Sequence, residues 1–127
     1  MMPSRLSSGA FHTAKADSSR LQTKAMRTGP IASCTIYFAP EALGFTGNEA
    51  VALAAHEVFH CFEYDLGTLP QAQARPAWII EGMSEWVGEA VSGGSSLSEN
   101  TWRGWLDEWA YRPLFSRAYD AIGFYAH

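Results

Sequence analysis

The sequence predicts an α+β domain, predominantly helical, with a small β-sheet packed on one central helix. Three observations carry that expectation. Ser33 to Ala39 (SCTIYFA) is a β-branched and aromatic run closed by Pro40, the pattern of a strand. Two long segments follow, Gly47 to Asp65 and Pro76 to Val91, each rich in apolar helix formers and each closed by glycine. A length of 127 residues with 47% hydrophobic composition suits one domain with a real core.

Taken in order, the chain opens on residues 1–30, rich in Ser, Ala, Thr, Lys and Arg. This segment lacks the apolar stretch of a secretory signal and reads as a disordered or leader segment, with one short strand near Gly9 to Thr13. Residues 31–127 form the domain. Thr46-Gly47-Asn48-Glu49 has the form of a capping box, which starts the first helix. That helix spans roughly 27 Å over Gly47 to Asp65, and Gly67 stops it. Val51, Leu53, Ala54, Val58, Phe59 and Phe62 make it apolar on nearly all sides, so it is expected to be central and buried. Leu66 to Arg75 is a connector. Pro76 suits the first position of the second helix, and Gly93-Gly94 ends it. A third helix is expected from Ser98 to Tyr111, with Trp102, Trp105, Leu106 and Trp109 as a core stripe, broken by Pro113. A last helix starts near Ser116 and runs uncapped to His127, so the chain reads as a fragment of something longer.

Composition excludes some functions. The net charge is −4, with no basic run after the first thirty residues, so nothing resembles a nucleic-acid surface. No apolar stretch reaches the length of a membrane span. Compartment and oligomeric state are not legible, although an extracytoplasmic location fits if the chain is a fragment. Cys34 and Cys61 suit two buried thiols or one disulfide equally well. Cys61 follows a metal-ligand candidate on its helix and points away from that face.

The informative string is Ala55-His56-Glu57-Val58-Phe59-His60. His56 and His60 are four apart and share one helix face, about 6 Å apart at Cβ. Two imidazoles so placed can meet one tetrahedral Zn²⁺. Glu57 lies about 100° round the helix, where a general base for the attacking water belongs. A buried helix has little other use for His-Glu-His, because unpaired polar groups there destabilise it. Zinc needs a third protein ligand, and the following helix offers Glu81 and Glu85.

His56-Glu57-Val58-Phe59-His60, followed by Trp78-Ile79-Ile80-Glu81-Gly82-Met83-Ser84-Glu85-Trp86, resembles the gluzincin zinc metallopeptidases, the thermolysin-like and aminopeptidase-like groups. Their second motif has the form Trp-aliphatic-x-Glu-Gly-x-small-x-aromatic. The resemblance covers about Ser33 to Trp86. It implies a zincin-like catalytic core that binds one Zn²⁺ through His56, His60 and Glu81. It also implies peptide-bond hydrolysis by a metal-activated water, with Glu57 as general base and later proton donor to the leaving amine. Gly82 leaves room for the first helix to approach. Glu85, one turn beyond Glu81, is placed to accept the free ring N–H of His56 or His60. The strand near Thr35 to Phe38 is where an extended substrate would pair. The substrate would be a peptide or protein.

The sequence departs from the pattern in two ways. Twenty residues separate His60 from Glu81, more than in the aminopeptidase-like group. The Tyr or His that such enzymes add from a later segment has no fixed position here. Tyr111, Tyr119, Tyr125 and His127 are available, and Tyr119 is preferred because it opens a helix after a loop. The competing reading is a catalytically degenerate zincin-like domain that binds a peptide or partner; the intact Glu57 argues against it. A purely structural zinc site is disfavoured, since those sites usually have four protein ligands with Cys among them.

Overall fold

The computed structural model describes residues 10–12, 21–28, 31–38, 40–66, 71 and 74–127 and, within the strands, the side chains of residues 34–37. Three strands, β1 (Ala10–His12), β2 (Leu21–Thr28) and β3 (Ile31–Phe38), form an antiparallel sheet in the order β1-β2-β3. β2 pairs with β3 from Leu21↔Phe38 to Thr28↔Ile31. A 3-10 turn, Pro40–Gly44, leads into α1 (Gly47–Asp65). Then come α2 (Ala77–Ser92), a 3-10 turn at Ser96–Ser98, and α3 (Glu99–Glu108). Two more 3-10 turns, Leu114–Ser116 and Tyr119–Ala121, precede the single-turn α4 (Ile122–Tyr125). The architecture is predominantly helical. β1 and β2 fall within the segment 1–30, where composition suggested only one short strand.

Strand periodicity fixes how the sheet meets α1. Cys34 and Ile36 are two apart on β3 and so share a face. Cys34 is disulfide-bonded to Cys61 of α1, with the Cα atoms 5.6 Å apart, which decides between the two readings of the cysteines. Ile36 packs on Ala42 and Leu53 together with Phe45 and Leu97. Tyr37, on the opposite face, is half exposed.

The first two helices are antiparallel neighbours tied at one end. Asn48 Nδ2 donates to Gly94 O (2.9 Å), and Ser96 Oγ donates to Glu49 Oε1 (2.8 Å). The capping box therefore does not form. Thr46 makes no side-chain cap bond, and Glu49 is drawn off by Ser96. Gly93, at φ 77°, is the left-handed cap that closes α2. Gly67, expected to stop α1, lies outside the described residues; α1 is capped at Leu66.

Burial differs from expectation in three places. α1 is not buried all round: its inward face carries Ala52, Leu53, His56, Glu57, His60, Glu63 and Tyr64, while Val51, Val58 and Phe62 are exposed. Helix α3 is shorter than the expected Ser98 to Tyr111, and its tryptophans are not a core stripe. Leu106 and Trp109 are exposed, and only Trp102 and Trp105 are half-buried. The last segment is two 3-10 turns and one helical turn rather than one helix, because Arg117 holds it in a tight loop. Arg117 is buried and donates to Gly104 O (3.2 Å), Glu108 O (2.7 Å), Arg112 O (3.1 Å) and Asp120 Oδ2 (3.2 Å), with its guanidinium over the Trp105 ring. These bonds satisfy the carbonyls at the end of α3 and deliver the chain at Tyr119 back onto α1.

Candidate metal centre

The inward faces of α1 and α2 bring together two histidines and four carboxylates. Glu81 Oε2 lies 3.2 Å from His56 Nε2 and 3.4 Å from His60 Nε2. The other ring nitrogens face further carboxylates: His56 Nδ1 donates to Glu85 Oε2 (3.0 Å), and His60 Nδ1 donates to Glu63 Oε2 (2.9 Å). The imidazoles meet edge to face with centroids 4.8 Å apart. Each is backed by an aromatic ring, His56 by Tyr119 at 5.7 Å and His60 by Tyr64 at 6.2 Å. His56, Glu57, His60, Glu63 and Glu81 are all buried.

Helix geometry accounts for the convergence. His56 and His60 are one turn apart, as are Glu81 and Glu85, so the facing surfaces present two residues each. Close approach of the helices depends on Gly88. A Cβ there would lie 2.6 Å from Ala52 O and 3.5 Å from His56 Cβ. Gly82, assigned that part from the sequence, instead faces the C-terminal segment, where a Cβ would meet Ala121 Cβ at 2.7 Å and Ala118 O at 3.1 Å. Gly82 thus admits the turn that carries Tyr119.

The electrostatics follow from burial and pairing. Burial presses the His56 imidazolium down, but the hydrogen bonds to Glu81 and Glu85 outweigh it and raise its pKa to about 10. His60 is likewise raised, with burial opposed by Glu63 and Glu81. Burial would push Glu81 up, yet both histidines hold it well below the usual carboxylate range. Burial, with Glu81, Glu63 and Glu57 nearby, pushes the Tyr64 phenol up. His56 therefore holds a proton on Nε2, the nitrogen that faces Glu81, and His60 is displaced in the same direction.

That arrangement fits a divalent cation. Ligand atoms about 2.0–2.1 Å from one tetrahedral zinc stand about 3.3–3.4 Å apart, the edge of the tetrahedron; the two Glu81–imidazole distances are 3.2 and 3.4 Å. The ligand atoms of His56, Glu57 and His60 lie within 4.8 Å of one another, and Glu81 Oε2 is 3.2 and 3.4 Å from the two Nε2 atoms, so both carboxylates are within reach of an ion held by the histidines. Glu57 borders a pocket of about 30 Å³, shared with His56, Glu85, Glu89 and Tyr119, which has room for a water molecule.

Of the residues singled out in the sequence, His56, Glu57, His60, Glu81, Glu85 and Tyr119 are gathered here. Tyr119 opens a 3-10 turn rather than a helix. Tyr111 is exposed, and Tyr125 stacks on Trp78 at 6.3 Å. Sequence reasoning missed Glu63, Tyr64, Ser84 and Thr101. Their signal was the helical interval: Glu63 and Tyr64 stand three and four residues after His60, and Ser84 stands three after Glu81. Thr101 carried no such signal; its Oγ1 reaches Glu85 Oε1 (3.3 Å) across the interface with α3.

Compared with protein families, with curated proteins and with solved structures, the chain matches none. No helix among the described residues is long and apolar enough to cross a membrane.

Proposed function

We propose that the chain is a zinc-dependent peptide hydrolase of gluzincin type, with a zincin-like catalytic core. The observation that carries the reading is the meeting of one Glu81 oxygen with the Nε2 atoms of both histidines, while a carboxylate occupies each Nδ1. A carboxylate on Nδ1 fixes the imidazole so that Nε2 is the atom left for a metal. His56, His60 and Glu81 would hold the ion. When bound, zinc polarises a carbonyl and lowers the pKa of water.

The remaining steps belong to the protein. Glu57 borders the water-sized pocket and is a non-ligating carboxylate beside the histidines. It takes a proton from the attacking water and later delivers it to the leaving amine. Tyr119, stacked on His56 and lining the same pocket, is the residue placed to donate a hydrogen bond to the oxygen that gains charge. β3 is an edge strand among the described residues, a backbone on which an extended peptide can pair. Both Nε2 atoms turned to one carboxylate oxygen beside a water-sized pocket favour a metal site over a merely polar core.

The test is metal analysis of the purified protein joined to a peptide-hydrolysis assay. One equivalent of zinc is expected, with turnover abolished by a chelator and restored by zinc. Stoichiometric zinc without turnover would favour the degenerate binding domain. A protein with no affinity for zinc would overturn both.

A further inference from the structure

Resting on that metal reading, we infer that Glu63 and Ser84 form a positioning pair that fixes His60, a role independent of the one Glu85 plays for His56. Glu63 Oε2 accepts from His60 Nδ1 at 2.9 Å and from Ser84 Oγ at 3.2 Å, and Ser84 Oγ lies 3.1 Å from the same Nδ1. The three side chains make a closed triangle across the α1–α2 interface. All three are buried, Ser84 completely.

The pair is held at its backbone as well. Arg75, at the end of the connector, donates to Glu63 O and to Leu66 O. It thereby caps the last turn of α1, where carbonyls lack helical partners. The long connector between His60 and Glu81 thus has a local task. It carries a guanidinium back to the turn that bears Glu63.

Stability alone does not account for this carboxylate. Its second oxygen, Oε1, is buried without a hydrogen-bond partner among the described residues, and an unsatisfied buried oxygen destabilises a fold. What the arrangement achieves is a fixed ring. His60 Nδ1 keeps its proton, and Nε2 is aimed at the point where Glu81 Oε2 sits. His56 has the matching device in Glu85, steadied by Thr101. Each imidazole therefore has its own carboxylate and its own hydroxyl, one set on each side of the site.

The test uses the full chain and Co²⁺, whose visible absorption reports ligand geometry. Glu63→Leu removes the acceptor at similar volume, Glu63→Gln restores a neutral one, and Ser84→Ala removes the hydroxyl. Glu63→Leu is expected to weaken Co²⁺ binding by about 10–100-fold and to alter the band intensities. Glu63→Gln should recover much of the loss. Ser84→Ala should weaken binding several-fold alone and hardly at all in the Glu63→Leu background, since both act through one nitrogen. Should Glu63→Leu fail to fold, Glu63→Gln and Ser84→Ala decide the matter by the same measurements. Cobalt binding and spectra unchanged in the folded variants would overturn the pair while leaving the metal site standing. A wild-type chain that takes up no cobalt would end the metal reading, and this role with it.

Discussion

His56 and Glu57 are neighbours in sequence with different proposed tasks, metal ligand and base, and the helix separates them by about 100°. Substituting each tests a different link. Glu57→Gln keeps the donor set and is expected to bind zinc like the wild type while turnover falls about 10²–10⁴-fold; full activity in this variant would remove the proposed base. Glu81→Ala should strip or gravely weaken zinc, whereas Glu85→Ala should weaken it about 10–100-fold or less, read by metal titration. The reverse order would exchange the two assignments. The same residues set the pH dependence. His56 is raised from 6.5 to about 10, so its contribution to the metal-free fold is fully present below about 6.5 and is lost as pH rises through about 10. Zinc at Nε2 would displace the His56 proton, so its apparent affinity should climb with pH up to about 10. Calorimetric titration at pH 7 in buffers of different ionisation enthalpy should show on the order of one proton released per zinc, from His56. Binding without proton release would contradict the protonated, metal-free site.

Helix α2 presents Glu81 and Glu85 to α1 only because Gly88 lets the backbones come together. Gly88→Ala is expected to destabilise the chain by about 1–3 kcal/mol and to weaken metal binding, because the wedge falls beside His56. Thermal unfolding and cobalt titration measure both; a variant as stable and as tight-binding as the wild type would contradict the crossing described here. At this scale the sequence was legible where local rules act alone. The apolar helical body of α1, the αL stop of α2 at Gly93 and the strand character of Thr35 to Phe38 follow from composition, glycine capping of α2 and periodicity. It misled where a tertiary partner competes. Thr46 to Glu49 has capping-box chemistry, but Ser96 takes the Glu49 carboxylate. Trp102, Trp105 and Trp109 have core spacing, yet Trp109 is exposed. Glu81 and Glu85 were visible through their i, i+4 spacing. Glu63 carries a weaker signal, a single carboxylate three residues after His60, an interval that solvated helix charges share.

The whole molecule is stapled as well as packed. The Cys34–Cys61 bridge joins β3 to the residue after His60 across a separation of 27 residues. Constraining a loop of that length contributes about 3.5 kcal/mol in the chain-entropy account. Reduction should therefore lower the unfolding midpoint in denaturant and release the sheet from α1, seen as earlier hydrogen exchange in β2 and β3; an unchanged midpoint would show that the sheet is held by packing on Ile36 alone. Period two puts Cys34 and Ile36 on one face of β3, but the bridge itself was not legible, since two cysteines in sequence do not reveal their distance. The claim on which everything rests is a hydrolytic zinc at His56, His60 and Glu81 with Glu57 as base. The most direct test titrates metal-free protein with Zn²⁺ while following cleavage of an internally quenched peptide library. Activity is expected to rise linearly, to saturate at one equivalent, and to be absent in Glu57→Gln at the same zinc occupancy. Saturation of binding with no cleavage beyond that of Glu57→Gln would contradict it.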